Sequence, residues 1–161
     1  MGQTAAQRSR AAPAVALLLA LGGVPPVKAA TTERVVSDML SGLAINGVDP
    51  VAYFTDAAPL YGNADHEYSY GGVIWRFRNV GDQAAFAARP DVYMPRYGGY
   101  DPMALGRGVA VPGNPLVWVM VGERVYLFYD EKSRDHFIAN PDEAIVTADD
   151  KWPAVVSTLV R

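Results

Sequence analysis

The segment FRNVGDQAAFAARPD at residues 77–91 returns fifty-one positions later as FYDEKSRDHFIANPD at 128–142, with Phe, Phe, Ala, Pro and Asp in register. An internal repeat constrains the fold more than any composition does, because each copy has to be one supersecondary unit set beside the other. Both copies follow an aromatic-rich alternating stretch and both end at a proline. In HEYSYGGVIWRF (66–77), two alternating runs meet at Gly71-Gly72, a hairpin signal that puts Val73, Trp75 and Phe77 on one face. In the second copy LVWVMV (116–121) and VYLFY (125–129) flank Gly122-Glu123-Arg124. Asn79 and Asp130 stand where helix N-caps belong, and the helices they open must stop before Pro90 and Pro141.

The remaining segments fill in around these two units. Apolar spacing in TTERVVSDMLS (31–41) predicts a short helix opened by Thr31 or Thr32. AINGVDPVAYF (44–54) reads as a turn at Asn46-Gly47 followed by a strand after Pro50. Residues 93–115 carry so many prolines and glycines that long regular elements are excluded, which makes this connector a natural place for a site. The last segment, ADDKWPAVVSTLV, is expected to pack Trp152 and a short apolar turn onto the body. The fold class is therefore α+β: two hairpin-helix units in one compact domain over 30–161. The first unit spans about 44–93, the connector about 94–115 and the second unit about 116–146.

The first twenty-nine residues have a different character. Arg8 and Arg10 precede the apolar run 11–21, and Val27-Lys28-Ala29 suits signal peptidase, the layout of a secretory signal peptide over 1–29. That apolar run is too short to cross a bilayer. Its removal takes Arg8, Arg10 and Lys28, leaving eleven basic residues against seventeen acidic ones and a net charge of −6. Such a protein is expected in the periplasm or secreted, away from the membrane once the signal is cut. An acidic surface without a basic stripe excludes nucleic acid as a partner. The absence of cysteine excludes disulfides and thiol chemistry.

Asp49-Pro50-Val51, the Tyr-rich hairpin and the Phe-containing helix that stops before Pro90 resemble the YHS domain, whose own helix ends near Asp-Pro. GLAINGVDPVAYF, EYSYGGVIWRF, YGGY (97–100) and KWP (151–153) extend the likeness over residues 42–153, to the family of exported YHS domain-containing (seleno)proteins. The resemblance implies a small metal-binding fold, with cysteines after the Asp-Pro-Val, after the Phe and four positions beyond it. Here those positions hold Ala52, Arg78 and Asp82, and Asp101 follows YGGY where many relatives have a further cysteine.

Without sulfur, the ligands open to copper or zinc are His66 and His136, the carboxylates Asp49, Asp82 and Asp101, and the thioethers Met94, Met103 and Met120. His66 is the metal candidate, with Asp49 or Asp101 and Met103 beside it. A second set, Asp49, Tyr53, Trp75, Tyr97, Tyr100 and Asp101, comes from the loops and hairpin around the connector and could line a pocket for a small molecule or protein partner. The alternative for the aromatics is core, and for the two aspartates capping of the turns they open. No Gly-x-Ser-x-Gly elbow, phosphate loop or His-Glu-x-x-His occurs. The sequence reads as an exported, non-catalytic binding protein with a degenerate metal site; the alternative is a periplasmic copper or zinc protein.

Overall fold

A computed structural model describes residues 1–2 and 33–159. All but the first two residues of the segment expected as a signal peptide, and the helix start expected at Thr31 or Thr32, lie outside the described residues. In chain order the elements are α1 (Ala52–Thr55), β1 (Asn63–Tyr70), β2 (Val73–Phe77), α2 (Val80–Ala88), α3 (Pro90–Tyr93), α4 (Pro102–Leu105), β3 (Asn114–Val121), β4 (Arg124–Phe128), α5 (Glu131–Ala139) and α6 (Pro141–Ser157), with 3-10 turns at Ile45–Gly47 and Arg96–Gly99. The mixed α+β class is as expected from the alternating hairpins and capped helices. Two antiparallel pairs, β1-β2 and β3-β4, form the sheets.

The two hairpins match in detail. Asn63 pairs with Phe77 and Asn114 with Phe128, and in each a register shift follows the Asn. Each hairpin leads into a nine-residue helix capped as its sequence requires. Asn79 Oδ1 accepts the Asp82 N–H at 2.9 Å, and Asp130 Oδ1 accepts the Ser133 N–H at 2.8 Å. The recurring phenylalanines then meet across hairpin and helix, Phe77 against Phe86 at 5.2 Å and Phe128 against Phe137 at 5.0 Å. Burying such rings contributes about 1.5–3 kcal/mol each.

Two core clusters result. One gathers Val51, Tyr53, Trp75, Phe77 and Phe86, and draws Val125 and Leu127 from the second hairpin. The other gathers Tyr97, Tyr100, Leu105, Tyr126, Phe128, Phe137 and Val155. Tyr53 ties the halves together: its hydroxyl donates to the Pro115 carbonyl at 2.7 Å and its ring meets Trp118 edge-on at 5.0 Å.

Three local expectations are corrected. Residues 33–41 form bridges and a turn, not a helix, because Val36 N–H donates to Gly98 O and Asp38 Oδ1 collects the Leu40 and Ser41 N–H groups. After Pro50 the chain turns into α1 instead of a strand, because Asp49 Oδ1 accepts the Val51 N–H at 2.8 Å and holds the first turn closed. The C-terminal segment belongs to α6, seventeen residues long with Pro153 inside it. Asn140, expected to end the preceding helix, stands at the junction, with Pro141 in the first turn of α6.

Close backbone approach sets the remaining geometry. Three successive residues have positive φ in each 3-10 turn: Ile45, Asn46 and Gly47, then Tyr97, Gly98 and Gly99. Gly98 is obligatory, since a Cβ there would lie 2.1 Å from the Arg34 carbonyl oxygen.

Candidate functional site

Asp49 and Asp101 are the two fully buried charged side chains among the described residues, and they occupy matching places. Each sits just ahead of a Pro that leads into a short helix, and each reaches the backbone that follows the final Phe of its hairpin. Asp49 Oδ1 accepts the Val51 N–H and Oδ2 the Arg78 N–H, both at 2.8 Å. Asp101 Oδ1 accepts the Met103 N–H at 2.8 Å and the Ala104 N–H at 3.3 Å, while its Oδ2 accepts the Tyr129 N–H at 2.8 Å. A buried carboxylate is tolerable only with such donors.

The difference between the two places lies fifty-one residues apart on α2 and α5. Ser133 donates its hydroxyl to Asp101 Oδ2 at 2.6 Å. Its counterpart is Asp82, a carboxylate set against Asp49. Burial first, then the charge and hydrogen bond of Asp82, outweigh the two N–H donors and push Asp49 up to about 6. Arg78 completes the cluster: Nη2 lies 2.6 Å from Asp56 Oδ2 and 3.6 Å from Asp82 Oδ2. Its Nε–H is the one buried side-chain polar group without a partner among the described residues. Ala52, Arg78 and Asp82, where the YHS resemblance places cysteines, thus all border Asp49. Ala52 N–H donates to Asp49 O at 3.3 Å.

The six residues read as a ligand-binding set are placed as follows. Tyr53 and Trp75 are buried in the first core; Tyr97 and Tyr100 are buried in the second, against Trp152 at 5.6 and 6.2 Å. Tyr97 also donates to Asp149 Oδ1 at 2.9 Å, and burial pushes its hydroxyl pKa up, as it does that of Tyr53. Tyr100 donates to Glu33 O at 2.5 Å. Asp101 lines a surface concavity of about 450 Å³ with Met103, Arg107, Ser133 and His136. The set is therefore split between two cores. His66 is half-buried on β1, and no three His, Asp or Glu side chains among the described residues converge in a way that could hold a metal ion.

The sequence marks Arg78 and Asp82 as the positions where the resemblance places cysteines, but does not connect them with Ser133. A signal for them existed. ING-V-DP-V-A at 45–52 and YGG-Y-DP-M-A at 97–104 are a second stretch of the repeat, offset by fifty-two residues, and they carry both buried aspartates.

Compared with known proteins, the chain matches no family model, no curated protein and no solved structure.

Proposed function

We propose that this is an exported protein of two YHS-like units that acts by binding a small molecule or partner, and that its ancestral thiolate site has become an Arg-carboxylate network. The observation that carries this reading is the convergence of Ala52, Arg78 and Asp82 around Asp49. Both Asp49 oxygens accept backbone N–H groups and the Arg78 guanidinium is turned to Asp56 and Asp82. Groups so engaged brace α1 against the end of β2, a structural use. They offer no free base and no soft ligand.

Elemental analysis of the protein, purified without a histidine tag, together with thermal melts before and after chelation, tests the reading. The expected result is no stoichiometric metal and an unchanged melt. One equivalent of copper or zinc, with a melting temperature lowered by chelator, replaces this reading with that of a metal protein held by His66, Asp49 or Asp101 and Met103, because a ligand bound only by the folded state stabilises it by mass action.

A further inference from the structure

Three arginines from three separate segments line one concavity of about 370 Å³: Arg34 ahead of the buried Val35, Arg96 at the start of the second 3-10 turn, and Arg124 at the start of β4. Tyr97 and Trp152, whose rings meet edge-on at 5.6 Å, form part of its wall. One of the three charges is cancelled locally. Arg96 is satisfied, 2.8 Å from Asp149 and stacked over the Tyr97 ring at 5.3 Å. Arg124 Nη1 donates to the Asp91 carbonyl, and neither Arg124 nor Arg34 forms an ion pair among the described residues. The Asp91 carboxylate, also on the wall, is 3.9 Å from Arg89.

Two arginines without an ion pair among the described residues line one hollow of a chain with net charge −3. Like charges brought together cost free energy, and an anion between them relieves it. Guanidinium forks match carboxylates in bidentate geometry. An apolar, aromatic wall with a few convergent polar groups, in a hollow of this volume, is the usual form of a small-molecule site.

We propose that this concavity binds a small carboxylate with a flat apolar body, the carboxylate lying between Arg34 and Arg124 and the body against Trp152 and the apolar wall around it. The assignment rests on the binding reading above and gives it a site and a ligand class.

Calorimetric titration of the purified protein with benzoate, benzamide and inorganic phosphate tests it. Benzoate should bind and weaken with added salt, while benzamide, the neutral isostere, should not bind. Arg34→Gln and Arg124→Gln should each weaken benzoate about tenfold and the double variant should abolish it. Arg124→Lys, which keeps the charge but not the fork, should retain part of the affinity, and Arg107→Gln, on the other concavity, all of it. Failure of benzoate to bind the wild type overturns the proposal, as does phosphate binding equally well or benzoate binding equally well to the double variant. In that last case the protein still binds ligand, so the site falls and the binding reading stands. A stoichiometric metal in the earlier measurement removes the binding reading whatever the titration shows.

Discussion

Asp82 stands on α2 where Ser133 stands on α5, so Asp49 faces a second carboxylate at the point where Asp101 receives a hydroxyl hydrogen bond at 2.6 Å. One aspartate is fully satisfied; the other is held against a like charge, and the fold accepts the conflict by keeping a proton there into the mildly acidic range.

Stability should therefore depend on pH through Asp49. Its folded pKa, about 6, lies above the ordinary 3.8 of the unfolded chain, so between these values the native state binds the extra proton. The contribution is fully present below pH ~4 and is lost as pH rises through 6, up to about 3 kcal/mol in all. Asp82→Ser recreates the pairing of the second unit. Denaturant unfolding should find this variant more stable at pH 7.5 by about 1 kcal/mol, with the difference shrinking at pH 4.5. An equal difference at both pH values would show that Asp82 does not act through Asp49. The variant gives up the favourable charge of Asp82 near the α2 N-terminus, a few tenths of a kcal/mol in the opposite direction.

The two buried aspartates should respond unequally to truncation. Asp101→Ala strips an acceptor from three backbone N–H groups and the Ser133 hydroxyl, and should cost about 3–4 kcal/mol. Asp49→Ala strips an acceptor from two N–H groups and also relieves the repulsion with Asp82, and should cost about 2 kcal/mol at pH 7.5. Urea midpoints measured side by side check the order; a reversed order would count against the pairing described.

Gly98→Ala should be among the most damaging single substitutions, costing more than about 3 kcal/mol, because its φ of +65° and the Arg34 carbonyl 2.1 Å from the new Cβ leave no relaxation that keeps the Val36–Gly98 hydrogen bond. Gly72→Ala shares the positive φ but meets open space, and should cost only about 1 kcal/mol. Thermal melts of the two variants separate the cost of conformation from that of contact.

The triple variant Ala52→Cys, Arg78→Cys, Asp82→Cys should create a zinc site. Thiolates are soft ligands and Asp49 supplies a neighbouring oxygen. Such a variant is expected to take up one equivalent of zinc and to melt higher with it than without. A variant that folds and binds none would show that these three positions do not present a ligand geometry.

The hairpins and the two nine-residue helices were legible in the sequence because their causes are local: Gly71-Gly72 supplies the positive φ of the turn, and Asn79 and Asp130 bond to N–H groups three residues on. Asp49 and Asp101 were equally legible as turn-forming residues. What they reach was not. Arg78 N–H is twenty-nine residues from Asp49 and Tyr129 N–H twenty-eight from Asp101, and no local pattern announces such bonds. The same limit explains the helix expected over 31–41, where the Val36 backbone is bonded instead to Gly98 and Ile45. It also explains α6, where Pro153 masks a helix that packs Val155 and Ala148 onto the second core. Sequence by itself determined which segments turn, pair and cap, since those free energies lie within a few neighbouring residues. Only the tertiary structure decided that a carboxylate should be buried against a carboxylate at Asp49, and that Arg34 and Arg124, ninety residues apart, should share one hollow, because both follow from chain segments brought together by burial of the cores between them.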